Sequence, residues 1–268
     1  MCHTVGMRRA LCGSCVGLLA LCSPVLPQRP SDPDIEALIA KSRQKAIEYA
    51  QSLPDFVATE VIHRYTGSEA VHGFWSPTDT LTIQLRYFDH REDHKLLLID
   101  GKPTERTFET LEGSFGYGEF GTTLSVVFDP ASQTTFHWRS WKNVRKHRVA
   151  VFDYTNGPHS RYRLLTTVEG HTVEADVGYH GALQIDAETG EVLHLAYLAS
   201  QIPRELHLRY AGNTVDYDLA DVGDRRYLLP SRSEMEMQGQ SQCARNVTEF
   251  REYRRFSADS TIDFSVGK

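Results

Sequence analysis

The segment Asp89-His90-Arg91-Glu92-Asp93-His94 sets two imidazoles at positions i and i+4 among three carboxylates. Imidazole and carboxylate are good zinc ligands, and that spacing serves a metal when both rings share one helical face. Here the segment falls between two stretches of strand character and carries Arg91 inside it. It reads as a charged surface turn, and no metal site is assigned. A second group, from His137 to Arg148, interleaves Trp138 and Trp141 with Arg139, Lys142, Arg145, Lys146 and His147. Such interleaving suits phosphate groups, and on a hairpin it equally suits anionic lipid head groups. Trp138, Trp141, Lys142, Arg145 and Lys146 are the expected membrane-facing residues, with a solvated turn between two strands as the simpler account. The pairs Glu109/Glu112 and Asp186/Glu188 would do acid–base work only in a shared dry cleft, and their context is that of turns. Cys243 has no partner motif nearby and reads as a small buried hydrophobe. Asn246-Val247-Thr248 is a formal glycosylation sequon, treated as incidental. The sequence holds no G-x-S-x-G, P-loop, dinucleotide glycine motif or H-E-x-x-H. No catalytic residue, metal or cofactor is therefore expected.

The elements that must position these residues are one helix and many strands. In Asp32–Leu53, Ile35, Leu38, Ile39, Ser42, Ala46, Tyr49 and Leu53 recur at helical spacing and form one stripe. Asp32 is the expected cap, Pro33 fits the first helical position, and Pro54 ends the helix. Asp55–Tyr65 reads as a first strand covered on both faces. Thr66–Thr78 reads as a loop. Thr80–Phe88 alternates cleanly, and Asp100-Gly101 marks a hairpin whose return is Lys102–Thr110. Gly113–Pro130 departs from the strand pattern. Its glycines and aromatics lead into a short helix, expected as a cover over a cavity mouth or as a plug at one end of the sheet. Phe115, Tyr117, Phe120, Leu124 and Phe128 are its candidate ligand-binding residues. From Gln133 onward strands follow one another at roughly 8–14 residues, among them Thr172–Val177, Ala182–Asp186 and Glu205–Tyr210. Turns are expected at Asn156–Pro158, Glu169–His171, Asp186–Gly190, Ala211-Gly212-Asn213 and Val222–Asp224.

The chain of 268 residues has ordinary globular contents of hydrophobic (40%) and charged (24%) residues. Net charge is −6, and residues 1–28 contain Arg8 and Arg9 but no acid, so the rest is more negative still. That balance argues against nucleic acid as a partner. Residues 1–22 read as a signal peptide, with Arg8-Arg9 before an uncharged run that Ser23-Pro24 breaks. Cleavage after Cys22 is expected; acylation of Cys22 as a lipoprotein anchor is the alternative. Residues 23–31 are a linker and 32–268 a single domain. Four of the five cysteines lie in or before the leader, which leaves Cys243 and no internal disulfide in the mature chain. Antiparallel strands with one apolar face need a cover. The expected fold is α+β: a large curved antiparallel sheet, or half-barrel, wrapped around one long N-terminal helix, with a short lid helix.

Gly181–Leu195 carries a strand–turn–strand with the D-x-x-T-G turn Asp186-Ala187-Glu188-Thr189-Gly190, and Asp218–Pro230 forms a late hairpin ending in Leu-Pro. Together with the leader and the helix, these resemble the LolA/LolB/RseB-like group of bacterial envelope proteins and uncharacterised exported bacterial proteins. The resemblance spans about residues 32–256. It implies a half-barrel with helices across its open side, a periplasmic or envelope location, and binding of acyl chains, lipid or lipoprotein, or sensing of envelope ligands. The leading expectation is a non-enzymatic exported protein that holds a hydrophobic ligand. The alternatives are an envelope interaction module with a filled core, possessing a protein partner, and an enzyme with an unrecognised site.

Overall fold

The computed structural model describes residues 29–67, 74–107, 110–111, 119–120, 122–157, 162–168, 171–239 and 243–256. The long helix α1 (Asp32–Ser52) leads into β1 (Phe56–Gly67), β2 (Trp75–Phe88), β3 (Arg91–Ile99) and β4 (Lys102–Pro103). The short helix α2 (Thr122–Phe128) follows, then β5 (Thr135–Val144), β6 (His147–Thr155), β7 (Tyr162–Val168) and β8 (His171–Asp186). The chain continues with β9 (Val192–Ser200), β10 (Leu208–Val222), β11 (Arg225–Gly239) and β12 (Cys243–Arg255). These strands make one antiparallel sheet of 12, in the order β4-β3-β2-β1-β12-β11-β10-β9-β8-β6-β5, with β7 added beside β8. The two ends of the path do not pair, so the sheet is open and no closed barrel forms.

One face of the sheet holds the core, and strand register explains it. Phe56, Ala58 and Ile62 of β1 stand opposite Tyr87, Leu85 and Leu81 of β2. On the other half of the sheet Phe152 of β6 stands opposite Leu183, and Leu183 opposite Leu195 of β9. The stripe of α1 lies against this face. Ile39 and Ala46 pack with Phe152, Leu183, Leu195 and Tyr217, whereas Leu53 packs with Phe56, Leu85 and Phe250. Strands from both halves meet the same helix, so the sheet must curve around it. β1 is buried on both faces over Phe56–Glu60, as its imperfect alternation predicts.

The start of α1 differs from the expectation. Ser31 is the cap, accepting from the backbone N–H of Asp34, and Asp32 already lies inside the helix. Serine before an acidic first turn suits the positive helix end as well as aspartate would. β2 begins at Trp75, inside the expected loop 66–78, and the return after Asp100-Gly101 is only two residues long. Two expected breaks are absent. Residues 172–177 and 182–186 belong to one strand, β8, and Ala211-Gly212-Asn213 runs straight through β10. In both places glycine serves close approach instead of a turn. A Cβ on Gly181 would stand 1.8 Å from the carbonyl oxygen of Ala196, and one on Gly212 would meet the Tyr210 hydroxyl at 2.9 Å. Residues 205–206, expected as strand, form part of the 3-10 turn Arg204–Leu206.

The D-x-x-T-G turn clasps the helix to the sheet. The Asp186 carboxylate accepts from the backbone N–H groups of Glu188 at 2.7 Å and Thr189 at 2.9 Å. Gly190 takes φ +78°, a left-handed conformation glycine adopts without strain. Lys41 of α1 lies over that glycine and donates its ammonium to the carbonyl of Glu188.

Gly181→Ala should destabilise the fold by about 1–3 kcal/mol, because the obstacle is backbone and cannot rotate away. Urea unfolding checks this; a midpoint equal to that of the parent would contradict the close approach.

Candidate functional site

Two clefts flank α1. The first lies between the N-terminal half of the helix and the β5–β6 hairpin, with a volume of about 360 Å³. Ile35 and Leu38 line one wall, Trp138, Trp141 and Phe152 the other, and Arg148, Pro30, Asp34 and Ala187 the rim. Strict alternation would put Trp138 and Trp141 on opposite faces of β5. A β-bulge between Trp138 and Ser140 adds one residue and returns both to the inner face. The two indoles meet edge to face at 6.3 Å, and the Arg148 guanidinium lies over the Trp141 ring at 4.0 Å from its centroid. The indole N–H of Trp138 is buried and makes no hydrogen bond.

The second cleft, about 190 Å³, lies at the C-terminal half of α1 against the β10–β11 hairpin. Tyr49, Leu53, Tyr217, Tyr227 and Leu228 line it. Tyr49 meets Tyr217 edge to face at 6.2 Å. Its hydroxyl is buried without a hydrogen bond, and burial, with the neighbouring Tyr217, pushes its pKa well up.

Beneath α2 the core contains charge-bearing groups. Glu119 Oε1 accepts from Asn213 Nδ2 at 3.5 Å and Ser233 Oγ at 3.4 Å, and the Tyr217 hydroxyl donates to its carbonyl at 3.2 Å. These bonds fasten the entry of α2 to β10 and β11. Burial raises the Glu119 pKa, with Asn213 and Ser233 offsetting part of the rise. Glu60 is buried on β1. Burial, then the charges of Glu119 and Glu92, push its carboxyl well above the ordinary range. His94 Nε2 lies 3.5 Å from Glu60 Oε2, and burial pulls the imidazole down, offset in part by Asp93. The raised acid and the lowered base both favour the neutral forms of the two groups.

The sequence-predicted residues divide among these regions. Phe120 sits in the core against Phe56 at 5.3 Å and Phe250 at 5.4 Å. Leu124 and Phe128 belong to the central core, where Phe128 stacks on Phe136 at 5.5 Å; Leu124 also reaches the second cleft. Phe115 and Tyr117 lie outside the described residues, as do Glu109 and Glu112. Trp138 and Trp141 turn inward to the first cleft, while Lys142 faces outward on the same strand. Arg145 and Lys146 form the hairpin turn with φ 47° and 72°, and Arg145 pairs with Asp218. The basic–aromatic stretch is therefore split between two faces. In the Asp89–His94 segment only Asp89-His90 is turn, and Asp93 pairs with Arg86. Asp186 has the turn role. Burial opposes its charge, but the N–H groups of Thr189 and Glu188, with His147, hold its pKa below the ordinary value. Cys243 and Asn246 are both buried in β12.

Sequence reasoning missed Glu60 and Glu119. Glu60 keeps phase with Phe56, Ala58 and Ile62, a signal that it points inward. Glu119 has no such signal, because it lies in the glycine-rich stretch outside any strand pattern.

No family model matches the chain, and no curated protein matches it. Solved structures similar to it include a LolA superfamily protein from Nitrosomonas europaea, at 9% identity over 83% of this chain and 93% of that one, TM-score 0.39. A DUF1329 family protein from Desulfovibrio piger matches at 12% identity over 86% and 96%, TM-score 0.43. A domain assigned to outer membrane lipoprotein sorting, from Vibrio parahaemolyticus, matches at 13% identity over 85% and 95%, TM-score 0.33. The LolA superfamily and lipoprotein-sorting proteins are thus among the neighbours, as the sequence resemblance expects. At these identities and TM-scores the likeness assigns no family or activity.

The buried acid gives a pH dependence of defined sign. A carboxyl with raised folded pKa keeps its proton after the unfolded chain has released it, so its stabilisation is whole below about 4.5 and is lost as pH rises. His94 acts oppositely: its contribution is whole above about 6.5 and is lost as pH falls. Between pH 5 and pH 8 the parent should lose more thermal stability than Glu60→Gln, which carries no ionisable group there. Melting curves at both pH values check this; equal losses would contradict the buried-acid assignment.

Proposed function

We propose that the protein is an exported, non-enzymatic carrier that holds an apolar chain in the cleft between α1 and the β5–β6 hairpin. The observation that supports it best is the placement of Trp138 and Trp141. The bulge in β5 turns both indoles into a cleft of about 360 Å³ that Ile35, Leu38 and Phe152 complete. That volume falls within the ordinary range of about 300–1,000 Å³ for small-ligand sites. Burial of apolar surface, at about 25 cal/mol per Å², would supply most of the affinity. The leader pattern at residues 1–22 supports an envelope location, and lipid or a lipoprotein acyl chain is the matching ligand class. A second reading also has an observation in its favour. The centre of the sheet is filled by Ala46, Leu124, Val127, Phe128 and Tyr179, all buried, which suits an envelope scaffold with a protein partner. The buried acids Glu60 and Glu119 line neither cleft, so their placement favours packing over turnover.

The carrier reading predicts saturable binding of dodecanol, a neutral single-chain probe, followed through tryptophan emission. Trp141→Ala should weaken it about tenfold, the loss of roughly 1.4 kcal/mol of aromatic contact. Failure of both dodecanol and its carboxylate analogue dodecanoate to saturate the parent protein would leave the scaffold reading in its place.

A further inference from the structure

We propose that the cleft selects an amphiphile with an anionic head, which the Arg148 guanidinium receives at the rim, with the Trp138 indole N–H on the adjoining wall as a second donor. The inference rests on the reading of this cleft as an apolar-chain site and adds the chemistry of the ligand's other end.

The basic side chains of the β5–β6 hairpin differ in their partners. Arg139 is paired with Asp153, Arg145 with Asp218, and His147 with Asp186. Arg148 lines the cleft and, among the described residues, has the Trp141 ring as its side-chain contact in place of an acid. A guanidinium lying over an aromatic face keeps its N–H edges free in the plane of the group. Those edges match the two oxygens of a carboxylate or phosphate. Stacking also fixes the long side chain before ligand arrives, which reduces the ordering cost of the contact.

Trp138 supplies the second donor. Its N–H is buried with no acceptor, and its ring lines the same cleft. Buried indole N–H groups ordinarily find a partner, and leaving one unmade is costly. A head-group oxygen near Arg148 would provide the acceptor that the protein does not. Further cations, Lys142 and Lys146, stand exposed on the same hairpin. The acid lining the cleft is Asp34, in the first turn of α1. Its carboxylate is engaged by the Ser31 hydroxyl at 2.5 Å, and it sits at the positive end of the helix. Nothing apolar at the rim requires a charged group, so a carrier of neutral chains would have no use for an arginine over Trp141 that, among the described residues, pairs with no acid.

Calorimetric titrations at pH 8 with dodecanoate, dodecanol and acetate test the proposal on the full mature chain. Dodecanoate should bind about tenfold tighter than dodecanol, and added salt should narrow the difference. The dodecanoate-to-dodecanol ratio should fall to about one in Arg148→Gln and by about threefold in Trp138→Phe, which keeps the ring and removes the N–H. Equal affinity for the two probes in the parent, or a ratio that survives Arg148→Gln, would overturn the head-group assignment while leaving the chain site standing. Acetate saturating with the same Arg148 dependence would make this a small-anion site and overturn the amphiphile. Absence of binding by both long-chain probes would remove the chain site and this inference together.

Discussion

The constraint on which the structure depends is that a twelve-stranded sheet with one apolar face must cover that face. The stripe of α1 does most of the covering. Its residues reach strands from both halves, so the curvature of the sheet and the seat of the helix are one arrangement. Among the described residues Cys243 is a free thiol buried in β12, so no disulfide there adds to packing and hydrogen bonding. The polar fastenings of the helix are few and local: Lys41 to the D-x-x-T-G turn, and Arg43 Nε to the Phe128 carbonyl at 3.1 Å. A helix held mainly by non-directional apolar contact relies on these two bonds to fix its position along the sheet. That arrangement is compatible with clefts at both of its ends.

Much of this architecture was legible in the residues. The α1 stripe, the alternation of β2 and the Asp100-Gly101 hairpin are local patterns, and local patterns survive folding. The breaks that failed were those read from glycine. Gly181 and Gly212 look like punctuation in one dimension, but their cause lies on neighbouring structure: the Ala196 carbonyl for one, the Tyr210 ring for the other. The inward turn of both tryptophans was hidden for a related reason. Alternation sets them on opposite faces, and only the bulge, which depends on pairing with β6, brings them together. The basic and aromatic residues were found as a group because they are close in sequence. Their division between two faces could be seen only with the strand register.

The interior carries more polarity than a packed core needs. Glu119 ties the entry of α2 to three residues of β10 and β11 through its carboxyl and carbonyl. A polar bond in a dry place is directional where apolar contact is not, and it fixes α2 at one register on the sheet. The contrast with α1 is instructive. The short helix fills the centre, with hydrogen bonds at its entry, while the long helix covers the sheet mainly through its apolar stripe and borders the space that remains.

An open sheet also has rims, and their form has a consequence for the protein's behaviour in company. One rim ends in β4, only two residues long, Lys102 and Pro103. Proline offers no N–H to a visiting strand, and lysine repels a like neighbour. The other rim is β5, whose bulge interrupts the regular spacing of its free backbone groups and whose outward side chains include Arg139 and Lys142. The same kink that aims two indoles into the cleft thus spoils that border as a template for aggregation. One irregularity sets both the inward aim of the two indoles and the broken regularity of the border.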